Sequence, residues 1–112
     1  CGSMVTVDIC VNKNKVVDYG HEVKACALGQ AAASVISQSI IGSDIDQILN
    51  AREELITMLT KDGSSPNKPF DELEVLKPAK DFKNRHSSIL LTFDAIADAI
   101  NEINIIEAKK TS

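Results

Sequence analysis

The sequence predicts an α+β fold in which a small antiparallel β-sheet, either a hairpin or three strands, is packed on one face by helices. Two segments near the start alternate between apolar and polar residues, which is typical of half-buried strands. Most of the remaining chain repeats apolar residues at helical spacing, and this order of strands and then helices favours the α+β class. The 112 residues are enough for one hydrophobic core, so we expect a single domain over residues 1–112.

The two strands are predicted over residues 4–11 and from about residue 16 to residue 24. A polar turn at residues 12–15, in which either asparagine can adopt a left-handed backbone, joins them into an antiparallel hairpin. The inward face of the second strand is predicted to carry four residues: Val17, Tyr19, His21 and Val23.

Two helices are predicted directly after the hairpin. The first begins after Cys26, runs to about Ile41, and ends at Gly42, where a glycine tolerates the left-handed backbone of a helix end. Its alanines and serines keep it thin, so another element can approach closely. The second helix is capped by Ser43 or Asp44 and carries an apolar stripe at helical spacing.

The second helix is expected to run to about Lys61. Arg52 interrupts its apolar stripe, and we interpret it as a side chain that lies along the core while its charged end reaches water. Residues 62–69 are rich in Gly, Ser and Pro and predict a surface loop. One helical turn is predicted over residues 70–76, with Pro78 preventing its continuation. A long last helix follows, from about Asn84 to Ala108.

Composition excludes several functions. A net charge of −4 with no basic patch argues against nucleic-acid binding. There is neither an apolar run near membrane-spanning length nor a signal peptide, so we expect no membrane association. Three cysteines without secretory context predict reduced thiols in a cytoplasmic compartment. Because the chain opens on Cys1 and not on Met, we expect that a segment before it has been removed.

A thiol, Cys26, marks the point where the alternating segment gives way to the first helix. The positive end of a helix dipole favours the thiolate that binds metal or attacks sulfur, although a purely structural cysteine is the alternative. The hairpin would bring Cys1 to the same end of the sheet. His86 or His21 has the right chemistry to complete a metal site with these thiols, whereas Cys10 is expected to be structural or half-exposed.

Three sequence features together resemble a known family: Cys1-Gly2-Ser3 before the hairpin, Ala25-Cys26-Ala27 leading a small-residue helix, and Asp94-Ala95-Ile96 in the last helix. This pattern is similar to the iron–sulfur cluster assembly scaffolds of the NifU N-terminal, IscU and SufU family. The resemblance implies a SufE/NifU-like fold and an N-terminal helical segment that is missing from this sequence.

The resemblance also implies a site. Cys1 and Cys26 match the first two thiolate ligands of the family, and Ser3 stands where the family has an aspartate. The third cysteine of the family, which generally accepts sulfur, falls on Ser88 or on Ser87, depending on how the last helix is aligned. His86 lies close enough to act as a nitrogen ligand in either alignment.

These features suggest three hypotheses. In the first, the chain is a non-enzymatic scaffold or carrier that holds Zn²⁺ or a transient iron–sulfur cluster through Cys1 and Cys26. Two thiolates are too few for the usual four-cysteine cluster, so a [2Fe–2S] cluster bridging two chains, and hence a homodimer, is expected if a cluster forms. A cysteine desulfurase and iron–sulfur acceptor proteins are the implied partners. In the second, Cys26 carries a persulfide as part of a sulfurtransferase accessory protein. In the third, the chain has lost its metal site and acts as a binding module.

Overall fold

The computed structural model describes residues 4–61 and 63–111, without the side chains of residues 105–111. Its α+β architecture agrees with the predicted class. Two strands come first, and the regular elements that follow them are helical. The elements in chain order are β1 (Met4–Asn12), β2 (Lys15–Lys24), α1 (Ala27–Ser39), α2 (Ile45–Lys61), a 3₁₀ helix (Asp71–Asp81), a short 3₁₀ turn (Lys83–Arg85) and α3 (His86–Thr111).

The predicted hairpin is present as an antiparallel pair, with Met4 opposite Lys24 and Asn12 opposite Lys15. Lys13 and Asn14 form its two-residue turn with φ angles of 52° and 67°. Both turn residues are left-handed because such a turn matches the natural twist of the two strands. The left-handed pair therefore includes a lysine, which the sequence did not indicate, together with one of the two asparagines.

An irregularity in the pairing next to Cys10 corrects the predicted inward face of β2. The register shifts between Cys10 and Val11, so Val11 pairs with Val16 while Cys10 pairs with Asp18. Val16 is consequently buried, at 1% exposed, and Val17 is 54% exposed. A strict alternation predicted the opposite because a bulge inserts one residue and changes which side chains face the core.

The connection between α1 and α2 lies along the turn end of the hairpin. Gly42 has a φ of +90°, as predicted for a residue near the end of α1. The amide of Gly42 donates to the carbonyl of Val16 at 2.8 Å, and the amide of Val16 donates to the carbonyl of Ser43 at 2.9 Å. Lys15 and Asp44 also form a single β-bridge. Within the described residues the sheet has two strands, of the two or three that were predicted, and this bridge is separate from it.

Asp44 caps α2, which decides between the two predicted caps. Its carboxylate accepts from the amide of Gln47 at 2.9 Å, while the Gln47 side chain accepts from the amide of Asp44 at 3.0 Å. This reciprocal arrangement is a capping box and satisfies two amides at the start of the helix. Ser43 instead donates its hydroxyl to the carbonyl of Ser39 at 3.1 Å.

The helices cover one face of the hairpin. Side chains of alternating positions on β1 and β2 pack against the helical core, whereas Thr6, Asp8 and Cys10 on the other face are exposed. The centre of the core joins α1, α2, the 3₁₀ helix and α3. Its largest fully buried side chains include Ile36, Leu55, Phe70, Leu73, Phe93 and Ile96.

Pro78 does not end the helical segment before α3. The 3₁₀ helix continues through it to Asp81, which makes the predicted single turn over residues 70–76 too short. The fixed φ of proline suits a 3₁₀ helix, and only the one hydrogen bond that its missing N–H would donate is lost. Leu73, Leu76 and Ala79 on this segment are buried, so core packing stabilises it.

Arg52 forms an ion pair between α2 and α3. Its Nε donates to Oδ1 of Asp94 at 2.7 Å, and its guanidinium also reaches Glu53 at 3.1 Å. The side chain is 31% exposed. The prediction that its charged end reaches water did not include its main contact, the ion pair with Asp94. Asp94 raises the pKa of Arg52, first through this hydrogen bond. Surface ion pairs of this kind contribute at most about 1 kcal/mol, so Arg52 orients the helices more than it stabilises them.

We predict that Ile36→Ala lowers the free energy of unfolding by about 2–5 kcal/mol, because it leaves a cavity at a fully buried position of α1. Ile41→Ala is the matched control, since Ile41 is 58% exposed and its truncation should change the same free energy by less than about 0.5 kcal/mol. Urea denaturation measures both. Equal effects of the two variants would contradict the core described above.

Candidate functional site

Cys26 lies at the junction between the sheet and the first helix. It is the N-cap residue of α1, with an extended backbone at φ −66° and ψ 171°. β2 ends two residues before it, at Lys24, and its thiol is free and half-buried. The sulfur therefore lies beside the first turn of a helix while it is still accessible from outside.

Ser88, in the first turn of α3, faces this thiol. Its Oγ lies 3.4 Å from Sγ of Cys26, and the serine is only 5% exposed. Ser87, the other residue that the alignment of the last helix allows for this place, is exposed. Of the two serines, Ser88 is thus the one that the fold brings to Cys26.

These surroundings lower the pKa of Cys26 from 9.0 to about 7. The largest cause is the hydrogen bond from Ser88, followed by the backbone N–H of Gly29. Partial burial opposes the shift, while the N–H of Leu28 and the charge of Arg85 add to it. The two backbone N–H groups lie toward the sulfur without full capping geometry. A substantial fraction of Cys26 is therefore thiolate near neutral pH, and the thiolate is the form that binds metals and attacks sulfur.

An open depression of about 320 Å³ surrounds the thiol, lined by Cys26, Ala27, Leu28, Phe82 and Arg85. Phe82 is 56% exposed and Arg85 is also exposed, so an aromatic ring and a positive charge flank the sulfur. The arrangement presents an activated thiol to an incoming molecule instead of enclosing it.

The two histidines considered as ligands are both engaged. His86 donates from Nε2 to the carbonyl of Ala79 at 3.0 Å, so a metal ion would have to use its Nδ1. Nδ1 of His21 lies 3.1 Å from the hydroxyl of Tyr19, and the two rings meet edge to face. Burial raises the pKa of Tyr19 to about 12, so its hydroxyl stays protonated and shares a hydrogen bond with His21. His21 is therefore engaged in a local pair on β2.

Within residues 4–61 and 63–104, no three His, Cys, Asp or Glu side chains lie together as a metal site. Cys1 and Ser3 lie outside the described residues, so the predicted pairing of Cys1 with Cys26 remains a prediction. Cys10 is exposed on the outer face of the hairpin, which is more open than the structural or half-exposed position that was predicted for it.

Three neighbours of Cys26 were not singled out from the sequence: Gly29, Phe82 and Arg85. Phe82 and Arg85 lie in the charged run between Lys80 and Arg85. The sequence feature that could have identified them is a lone aromatic residue in a charged run just before a helix. Gly29 lies within a run of small residues. The close approach of another element that is expected at such a run could have identified Gly29.

Comparison with known proteins agrees with this geometry. The model of the NifU-like N-terminal domain family matches residues 1–107. The chain belongs to this family. The resemblance that the cysteine pattern predicted is thereby confirmed.

Individual relatives of this NifU-like domain are consistent with that assignment. It is 26% identical over 109 residues to a protein from Thermotoga maritima named iron–sulfur cluster assembly scaffold protein IscU, covering 93% of this chain and 72% of the relative. A protein of the same name from Streptococcus pyogenes serotype M1 is 21% identical over 100 residues, covering 89% of this chain and 63% of the relative. The chain thus spans less than two thirds of that second relative.

A solved structure shows a close likeness in three dimensions. A crystal structure described as a nitrogen-fixing NifU-like protein (N-terminal) from Brucella abortus superimposes with a TM-score of 0.90 at 45% identity. The match covers 93% of this chain and 72% of that one. This NifU-like domain therefore shares its overall fold with that structure. No helix in the described part of the chain is long and apolar enough to cross a membrane.

We predict that alkylation of Cys26 has a pH midpoint near 7, measured with iodoacetamide in a Cys1→Ser/Cys10→Ser background. Only the thiolate reacts, so the rate falls about tenfold for each pH unit below the midpoint and levels off above it. Ser88→Ala removes the main stabilising hydrogen bond and should move the midpoint toward 9.0.

Ser87→Ala is the matched control, because this exposed neighbour should leave the midpoint unchanged. An unchanged midpoint in Ser88→Ala would show that the Ser88 hydroxyl does not stabilise the thiolate.

Proposed function

We propose that this NifU-like domain is a non-enzymatic scaffold that transiently holds a metal ion or an iron–sulfur cluster through Cys1 and Cys26. The observation that carries the proposal is the activated, accessible Cys26 thiol facing Ser88 in a domain whose relatives are named scaffold proteins for iron–sulfur cluster assembly. A single folded domain is also proposed, supported by one hydrophobic core that includes the side chains packed against the site.

The donor groups suit a soft or borderline metal. Thiolates favour zinc and iron–sulfur clusters over hard cations, and a thiol with a pKa of about 7 loses its proton to a metal readily. Cys1 would supply the second thiolate. Nδ1 of His86 is the candidate nitrogen ligand, and the oxygens of Ser88 and Ser3 are weaker candidates. Zn²⁺ fits such a mixed set of sulfur, nitrogen and oxygen donors.

An iron–sulfur cluster would be the cargo of this site and would need more thiolates than one chain offers. Clusters usually have four cysteine ligands. Two chains, each contributing Cys1 and Cys26, supply four, so we propose that a [2Fe–2S] cluster bridges a homodimer. Because the bridging thiolates belong to different chains, separation of the dimer would release the cluster, as a transient carrier requires.

The proposed partners are a cysteine desulfurase, which supplies sulfur, and acceptor proteins that take the finished cluster. Neither partner is a nucleic acid, in keeping with a net charge of −4. Reduced thiols are needed for every step, so we propose a reducing, cytoplasmic location.

We predict that anaerobic reconstitution with ferric iron and sulfide gives one cluster per two chains, measured by native mass spectrometry. Cys26→Ser and Cys1→Ser should each abolish this species, because each removes two of the four thiolates from the dimer. The exposed Cys10 provides the matched control, and Cys10→Ser should retain the cluster. A cluster on a strict monomer would disprove the bridging arrangement.

Metal analysis of the freshly purified protein tests whether the domain holds any metal. Zinc or iron that is lost in Cys26→Ser would support the scaffold. If neither metal is found, and if changing Cys1 and Cys26 alters no binding property, the domain is better described as a binding module of this fold that has lost its metal site.

A persulfide carrier is the second candidate, and the lowered pKa of Cys26 favours it. The Cys26 thiolate would attack the terminal sulfur of a persulfide on the desulfurase. A new S–S bond forms at Cys26, the S–S bond of the donor breaks, and the donor cysteine leaves as a thiolate. The transferred sulfur keeps its hydrogen, so no outside oxidant or reductant is needed. Once the new persulfide loses this proton to water, the positive charge of Arg85, which lines the same depression, would stabilise the resulting anion.

For this candidate we predict one extra sulfur atom on Cys26 after incubation with a cysteine desulfurase and cysteine, detected by alkylation and peptide mass spectrometry. The exposed Cys10 should stay unmodified, because it lacks the Ser88 and Arg85 neighbours and serves as an internal control. The absence of added sulfur on Cys26 would rule the carrier role out.

A further inference from the structure

Gly29, in the first turn of α1, lies directly against Ser88 in the first turn of α3. A Cβ atom built on this glycine would lie 2.6 Å from Oγ of Ser88, 2.8 Å from Cβ of Ala25 and 3.1 Å from the carbonyl oxygen of Ser88. Real Cβ atoms essentially never approach another atom to less than 3.0 Å. A side chain at position 29 would therefore require both Ser88 and Ala25 to shift.

Ser88 has little room to move without leaving Cys26. It is 5% exposed and belongs to the first turn of α3, whose next residue, Ile89, is fully buried. Its hydroxyl already lies at 3.4 Å from the sulfur. A shift of several tenths of an ångström away from α1 would stretch this contact, because Oγ is the atom that a Cβ at position 29 would push.

We propose that Gly29 is a positioning residue of the metal site: its missing side chain lets α3 approach α1 until Ser88 touches the Cys26 sulfur. This inference rests on the proposed function, since it concerns the geometry of the same site. Ser88 then acts on a metal-bound Cys26 as a neighbouring group that orients the ligand, and such neighbours commonly change metal affinity by about 10–100-fold.

A purely structural role for Gly29 is the competing interpretation. Gly29 is buried, and close helix packing alone could require a glycine there. The two roles can be distinguished by experiment, because only the positioning role makes the properties of the Cys26 sulfur depend on the residue at position 29. Gly29→Ala keeps the backbone N–H that faces Cys26, so the substitution changes the available space and not the number of hydrogen-bond donors.

The first measurement reports the Cys26–Ser88 geometry without any metal. Ser88→Cys in a Cys1→Ser/Cys10→Ser background leaves two facing thiols, whose disulfide is equilibrated against reduced and oxidised glutathione. Gly29→Ala in this background should lower the effective concentration of the pair at least tenfold. An unchanged effective concentration would overturn the proposal.

A second glycine gives the matched control. A Cβ on Gly20, in β2, would meet no atom within 4 Å, and this glycine does not have a left-handed backbone. Gly20→Ala should leave the disulfide equilibrium unchanged. Should Gly29→Ala alone fail to fold, Ala25→Gly/Gly29→Ala removes one of the crowding atoms and permits the same measurement.

The second measurement is zinc affinity, determined by competition with a chromophoric chelator. Ser88→Ala and Gly29→Ala in the otherwise natural sequence should each weaken zinc binding about tenfold, and the double variant should lose no more than either single variant. Such non-additivity is expected when both changes remove the same contact.

The two measurements distinguish failure of the inference from failure of the proposed function. If Ser88→Ala weakens zinc binding and Gly29→Ala does not, the proposed role of Gly29 is overturned, whereas the proposed metal site is supported. Absence of both zinc binding and cluster binding in the unchanged protein would refute the proposed site, and with it a positioning role toward metal, even if Gly29→Ala alters the disulfide equilibrium.

Discussion

The contact between the first turns of α1 and α3 determines where the groups around the thiol lie. Gly29 gives the two helices room to approach, and the approach brings a buried hydroxyl to the Cys26 sulfur. Further along the same helices, Ile36 and Phe93 are fully buried in one core. Well-packed interiors resist deformation. The geometry of the site is therefore set by the packing of the helices and not by the residues just before α1.

The other side of the thiol is built differently. Phe82 and Arg85 project from the exposed turn that precedes α3, and they flank the sulfur without covering it. One wall of the site is therefore fixed by the core, while the opposite wall is open to an approaching partner. This combination suits the proposed scaffold, because a rigid ligand geometry would favour binding and an open side would permit transfer.

Two local errors of prediction have physical causes that sequence periodicity does not contain. The bulge at Cys10 moved Val17 to the surface and Val16 to the core, since one extra residue reverses the alternation of a strand. Pro78 was expected to stop a helix, but buried neighbours such as Leu76 and Ala79 hold the segment as a 3₁₀ helix in which proline fits. In both places tertiary packing outweighed a local preference that the sequence had indicated correctly.

The sequence by itself determined the hairpin, the order of the helices, the glycine near the end of α1 and the position of Cys26 at a helix start, because each depends on periodicity or on a single residue with a strong backbone preference. It also pointed to the family through the cysteine pattern. Only the tertiary structure decided that Ser88 and not Ser87 faces the thiol, that Gly29 permits this contact, and that His21 pairs with Tyr19. These are relations between residues distant along the chain or set by burial, and spacing in one chain cannot specify them.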